Sequence, residues 1–222
     1  MNFTFGIITT NDQEDRVKII IDSILSQNIK SPEIVVVGGK DVYNIDVVKH
    51  VDFDETIKSG WITKKKNLIT ENATQENIVY LHDYVKLNPN WYSGFLNFGC
   101  DWDVCMTKLL NEDGSRYRDW CAWDDPNLCY LPNGRHWACI VPYGYSLTKH
   151  MYISGAYWVA KKEPMENEPL NENLCWGESE DVEWSFRIRD KYNYQMNIWS
   201  SAQLLKYRDL VLERPLFLED NS

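Results

Sequence analysis

Apolar and polar positions along this chain fall into two periods, one of strands and one of helices. Phe3 to Thr9 is a short, nearly continuous apolar and β-branched run, the pattern of a buried strand. Behind Asn11 or Asp12 as a cap, Val17, Ile20, Ile21, Ile24 and Leu25 recur at helical spacing, which predicts a helix ending near Gln27. Pro32 interrupts the chain, and Glu33 to Val37 is a second apolar run closed by Gly38 and Gly39. Strand, helix, strand in this order predicts a βαβ unit with parallel pairing.

The alternation continues. Val47 to Phe53 is a third strand candidate, and Trp61 to Glu71 reads as a helix that opens with three lysines. Ile78 to Leu81 is a fourth strand that runs directly into His82, Asp83 and Tyr84. A further helix is expected over Trp91 to Phe98, begun by Pro89 or Asn90. Ligands of such alternating α/β sheets bind beyond the carboxyl ends of the strands. After the Asp113-Gly114 turn the pattern changes. Arg116 to Tyr145 is dense in Trp, Pro, Asp, Asn and Gly and reads as a long structured loop, because aromatic residues are too frequent for disorder. Tyr152 to Ala160 is strand-like, and Glu180 to Tyr192 reads as a helix with Val182, Phe186 and Ile188 on its apolar face.

Composition narrows the picture. A length of 222 residues fits one domain, and a 44% hydrophobic fraction supplies its core. The 10 Trp and 13 Tyr are many for this length; core and surface packing accounts for most of them, and the rest are candidate stacking faces for sugars or bases. A net charge of −10 opposes the counterion displacement that duplex binding requires, so no nucleic-acid partner is expected. The six cysteines form no C-x-x-C pair, which argues against a structural zinc site. The first residues show no basic segment followed by an apolar one, and no run of roughly 18 apolar residues predicts a membrane span. Reduced thiols and a cytoplasmic location are the corresponding expectations.

Four groups of residues carry candidate chemistry. Asp83, at the end of a central strand, can hold a divalent cation that bridges two phosphates, or serve as a solvated strand cap. Lys64, Lys65, Lys66 and Asn67 at a helix start are either phosphate partners or a solvated face. Glu178, Glu180, Asp181 and Glu183 crowd one helix N-terminus behind Trp176 and Gly177. Some of them complement the helix dipole; one, beside a Trp stacking face, can take the proton of an acceptor hydroxyl. Arg116, Arg118, Asp119 and Trp120 offer either an anion clamp or an ion pair that staples the loop.

In order and spacing these segments resemble the GT-A glycosyltransferases, especially the family 2-like inverting enzymes, over roughly residues 3–190. Phe5 to Asn11 resembles their first strand and nucleotide-contacting loop, and Ile34 to Gly39 their second strand. Lys65-Lys66-Asn67 resembles their basic-Asn motif, and His82-Asp83-Tyr84 stands where they carry Asp-x-Asp. Ser154-Gly155-Ala156 resembles the acceptor-side Gly segment. Trp176-Gly177 with Glu180-Asp181 resembles the Trp-Gly-x-Glu-Asp motif of galactosyltransferase-like members. The resemblance implies a single α/β domain over 1–222, with 1–100 as nucleotide-binding half and 101–222 as acceptor half. It implies metal-dependent, inverting transfer from a nucleoside diphosphate sugar, with uridine as base, to a hydroxyl of a glycan or glycoprotein. Asp181 becomes the base and Glu180 its neighbour on acceptor hydroxyls; Asp83 becomes the ligand of Mn²⁺ or Mg²⁺. Thr9, Asn11, Asp52, Lys65, Asn67 and His82 are expected at the donor, and Trp176, Gly155, Arg118 and Trp120 at the sugar or acceptor.

The sequence departs from that pattern in three places. Asp83 stands alone, either as the final metal-binding Asp or as the middle residue with Tyr84 in the ligand's place. Ser179 is inserted between Trp-Gly and Glu-Asp, and no His follows His150, leaving His150 or His136 to act from elsewhere. These departures keep open a rival reading, a carbohydrate-binding module with a degenerate GT-A site. A nucleotidyltransferase is disfavoured, because Thr9 to Arg16 contains no Gly for a phosphate loop.

Overall fold

The computed structural model describes residues 1–132 and 134–217; residue 133 and the last five positions of the expected unit lie outside them. The chain runs β1 (Phe3–Ile8), α1 (Glu14–Leu25), β2 (Glu33–Val37), β3 (Val48–Val51), α2 (Ile62–Asn72), β4 (Asn77–His82), β5 (Val85–Leu87), α3 (Trp91–Phe98) and β6 (Val104–Leu110). There follow β7 (Cys121–Trp123), β8 (Tyr130–Leu131), β9 (Gly134–Arg135), β10 (Ala138–Ile140), β11 (Met151–Tyr152) and β12 (Tyr157–Lys161). The last elements are α4 (Lys162–Asn167), α5 (Glu180–Ile188), β13 (Tyr194–Leu204) and β14 (Glu213–Pro215).

Eight strands form one sheet in the order β3-β2-β1-β4-β12-β6-β13-β5. The first four are parallel, as a βαβ beginning predicts. Their registers align Ile8, Val37, Val51 and His82 in one row across the sheet. The residues that follow, Thr9, Gly38, Asp52 and Asp83, therefore share its carboxyl edge. β12 is antiparallel to both β4 and β6, and β6 is parallel to β13. The stretch before β12 and the stretch after β13 consequently reach the same edge. All six residues of β4 are buried, which explains why it reads as a continuous apolar run without alternation.

The helices and buried tryptophans close the core. Helix α1 buries Val17, Ile20, Ile21 and Ile24, and Glu14 and Asp15 in its first turn complement its dipole. Trp91, Trp102, Trp158 and Trp184 are fully buried, so much of the Trp content is core mass. Tyr80 and Trp158 stack across β4 and β12 with centroids 4.5 Å apart.

Several expectations shift. The run from Tyr152 to Ala160 is two strands, β11 and β12, which belong to different sheets. The expected loop from Arg116 to Tyr145 contains β7 to β10, and β11-β7-β10-β14 form a separate four-stranded sheet. Helix α5 stops at Ile188, short of Tyr192, and α1 is preceded by Gln13 without a side-chain cap. Strands β5, β6 and β13 of the large sheet were not anticipated. Among the described residues, no helix is long and apolar enough to cross a membrane.

Candidate active site

A cavity of about 270 Å³ opens at the carboxyl edge of the large sheet. Its wall includes His82, Tyr84, Arg118, Gly155, Trp176, Glu180, Asp181 and Arg208. Each arrives there for a topological reason. His82 ends β4, Gly155 precedes β12, Glu180 and Asp181 open α5, and Arg208 follows β13.

Asp181 and Gly155 meet at close range. The Gly155 amide donates to Asp181 Oδ2 at 2.8 Å, and the Val182 amide donates to Oδ1 at 2.9 Å. A Cβ on Gly155 would stand 2.8 Å from Glu180 Oε1 and 2.9 Å from Asp181 Oδ2, so no larger residue fits without moving both acids. Burial, reinforced by the charge of Glu180, pushes the Asp181 carboxyl up to about 6, against the opposing pull of Lys66. Glu180 is compensated differently. Lys66, only 1% exposed, donates to Glu180 Oε1 at 3.0 Å and to the Gly155 carbonyl at 2.9 Å, beneath the Trp158 ring. Of two adjacent acids, one is paired with a buried cation and the other is not, so their chemistries separate.

The inserted Ser179 caps α5 in the left-handed region, at φ 58°. Trp176 before it is 67% exposed, and its amide donates to the Gly60 carbonyl at 2.8 Å. The exposed indole thus sits on the cavity wall, anchored through its backbone to the loop that leads into α2.

The donor-side residues divide into two groups. Thr9 Oγ1 donates to Asp83 Oδ2 at 3.0 Å, and the Thr9 carbonyl accepts from Lys65 Nζ at 2.6 Å. Lys65 also pairs with Glu55. Gly38, at φ 86°, has Thr9 O only 2.5 Å from where a Cβ would stand, so glycine keeps this corner of the edge open. A second cavity, of about 320 Å³, is lined by Thr10, Asn11, Glu55, Trp61 and Lys65 and shares Ile62 with the first. Asp52 projects into solvent 3.5 Å from His50.

Three expected residues are engaged elsewhere or already paired. Asn67 faces the chain before α5, where its side chain binds the Leu170 carbonyl and amide and Glu172 Oε1 at 2.9–3.0 Å. Trp120 is buried, its Nε1 donating to the Tyr145 carbonyl. Arg118 lines the cavity but pairs with Glu213, while Arg116 and Asp119 form a staple with Nη2 to Oδ1 at 2.6 Å.

The strand end that resembles Asp-x-Asp splits in direction. His82 and Tyr84 line the cavity, whereas Asp83 turns to Thr9, the alternation a strand imposes. Burial raises the Asp83 carboxyl above its usual range. Burial and the nearby Lys66, Arg208 and Lys65 hold His82 well below its usual value, so its ring is neutral. His82 Nε2 is buried without a hydrogen-bond partner. Among the described residues, no three His, Cys, Asp or Glu side chains converge to hold a metal ion. His136 and His150 do not line this cavity.

Arg208 went unnoticed in the sequence. Its guanidinium lies 4.1 Å from the Tyr84 ring centroid. Its backbone is gripped by the buried Asn111, which accepts from its amide at 2.9 Å and donates to its carbonyl at 3.2 Å. A lone Arg some 120 residues from the nearest donor-side motif has no local signal.

A mixed sheet with its cavity at the carboxyl edge, an acidic helix start facing it and a glycine turn beneath is the GT-A glycosyltransferase fold. Solved structures bear this out. Staphylococcus aureus TarS, a GT-A-type glycosyltransferase, superposes in its 1–349 complex with UDP-GlcNAc at a TM-score of 0.61 and 13% identity, over 96% of this chain and 60% of that one. A longer TarS chain gives 0.63 and 14%, over 92% of this chain and 37% of that one. GalNAc-T7, solved with UDP, GalNAc and Mn²⁺, gives 0.64 and 14%, over 96% and 44%. The chain spans between 37% and 60% of these proteins' lengths. No protein-family model and no curated protein matches the sequence.

Proposed function

We propose that this chain transfers a sugar from a nucleoside diphosphate donor, with uridine as its base, to a hydroxyl of a glycan or glycoprotein acceptor. The observation that carries the reading is Asp181, a carboxylate with no ion pair among the described residues, pushed up to about 6 on the wall of the cavity. A base of that strength is mostly ionised at neutrality, with its midpoint near 6, and can accept a hydroxyl proton. The solved complexes of TarS with UDP and UDP-GlcNAc, and of GalNAc-T7 with UDP, support a nucleotide-sugar donor.

The second cavity, with Asn11 and Lys65, takes the nucleoside, and the first takes the diphosphate, the sugar and the acceptor. Two backbone amides fix the Asp181 carboxylate while leaving lone pairs for the acceptor. The acceptor hydroxyl gives its proton to Asp181, and its oxygen bonds to the anomeric carbon. The bond from that carbon to the diphosphate breaks, and its electron pair leaves on the phosphate oxygen. Attack from the face opposite the leaving group inverts the anomeric configuration. Lys66 holds Glu180 by Oε1, so Oε2 is the oxygen left to orient an acceptor hydroxyl. Trp176 offers its exposed ring as the stacking face.

The divalent cation expected on Asp83 does not fit the residues present. One carboxylate is available, it is bonded to Thr9, and it faces away from the cavity that His82 and Tyr84 line. The mechanism above routes no step through a metal. The same reading keeps the cytoplasmic location, with its reduced thiols, that was expected from the lack of a signal-like or membrane-spanning apolar pattern.

The test is Asp181→Asn. It keeps the shape of the side chain, so UDP should bind as it does to the wild type, while transfer from UDP-sugars falls at least about 100-fold, the size of a general-base contribution. Normal transfer by this variant sinks the assignment. Glycan binding by a wild-type chain that binds no UDP would favour the carbohydrate-binding module.

A further inference from the structure

Loss of the diphosphate from the anomeric carbon places the bond's electron pair on a phosphate oxygen, and something must meet that charge. The carboxylates here do not converge on a cation site, yet the cavity wall carries two guanidinium groups. Arg118 is paired with Glu213. Arg208 has no carboxylate partner among the described residues. It packs on Tyr84, the residue that stands in the last position of the Asp-x-Asp-like segment. The Leu205 amide donates to the Tyr84 carbonyl at 2.8 Å, so the chain bearing Arg208 is tied to the end of β4. Asn111, 2% exposed, fixes the Arg208 backbone from the other side. On the same cavity wall, His82 offers a buried, unpartnered Nε2.

We propose that Arg208 takes the place of a divalent metal at the donor diphosphate, with His82 giving the same phosphates a hydrogen bond. Guanidinium is planar, permanently charged and forked, and it meets two phosphate oxygens at once. Tyr84 holds its plane by stacking. As the bond to the sugar breaks, the electron pair settles on the phosphate oxygen facing Arg208, and the proton from the acceptor resides on Asp181. No atom or charge is left unbalanced, and no cation need enter. The inference rests on the nucleotide-sugar reading, and its test separates the two.

The experiment is calorimetric titration of the whole chain with UDP and with uridine, in Mn²⁺ and again in EDTA. Wild type should bind UDP equally in both. Arg208→Ala should weaken UDP about 10- to 100-fold, the loss expected for hydrogen bonds to a charged group. Uridine, which lacks phosphate, should bind this variant unchanged. Arg208→Lys, which keeps the charge without the fork, should fall between and guards against a folding defect in the alanine variant. UDP binding that disappears in EDTA, or that tolerates Arg208→Ala, overturns the proposal and leaves the donor reading standing. A wild-type chain that binds neither ligand in either buffer overturns both.

Discussion

Asp181 and Glu180 are neighbours in sequence, yet one is neutralised by Lys66 and the other is held only by backbone amides. That difference sets a pH dependence. Because burial raises Asp181 to about 6, transfer at subsaturating donor should climb with pH and level off above that value, with its acid-side midpoint near 6. The sign for stability is opposite. The fold favours the protonated acid, so the contribution of this group is complete below the ordinary carboxylate range and is lost as pH rises through about 6. A kcat/KM profile flat from pH 5 to 8 would remove Asp181 from the proton transfer. At this scale the sequence was legible where the chemistry is local. Trp176, Gly155, Glu180 and Asp181 sit together because Trp-Gly and Glu-Asp are adjacent in the chain and the glycine precedes a strand. Arg208 and the orphaned His82 nitrogen were not legible, since both acquire meaning only through residues far away in sequence.

Helix α2 shows the same limit among elements. Its lysines and Asn67 read as one phosphate-binding face, but successive helical residues point in different directions. Lys65 faces the Thr9 edge, Lys66 reaches Glu180, and Asn67 binds the chain at Leu170 and Glu172. Around it, Trp61 Nε1 and Thr63 Oγ1 donate to the carbonyls of Glu172 and Leu174 at 2.7 Å. The segment that leads to Trp176 is therefore stitched to α2 by side-chain hydrogen bonds. Asn67→Ala leaves buried backbone groups at Leu170 unpaired and should lower stability by about 1–3 kcal/mol in urea melts, with UDP affinity at the level of the wild type. An equal stability with weakened UDP binding would return Asn67 to the donor site. Strands of two or three residues, β7 to β11, left no period to read, whereas β1 and β2 were visible as continuous buried runs and α1 as a helical stripe of buried residues.

Across the whole molecule, the two sequence halves interleave. β12 lies between β4 and β6, and β5 closes the sheet beyond β13. A division at residue 100 therefore does not separate two sets of strands. The halves join where β4 pairs with β12 and where β5 pairs with β13, and of these strands β5 and β13 are those the apolar pattern missed. The buried pair of Lys66 and Glu180 crosses the same divide, one residue from each half. Lys66→Met should cost about 3–5 kcal/mol by leaving Glu180 buried without its cation. Joining it with Glu180→Gln should recover a large part of that loss in the same denaturant titration. A double variant whose cost is the sum of the two single costs would show that the pair is not coupled. For descendants of this sequence the pair acts as a ratchet. Neither position can drift alone without passing through a chain with an orphan charge in its core, so the two are expected to be inherited together or exchanged together.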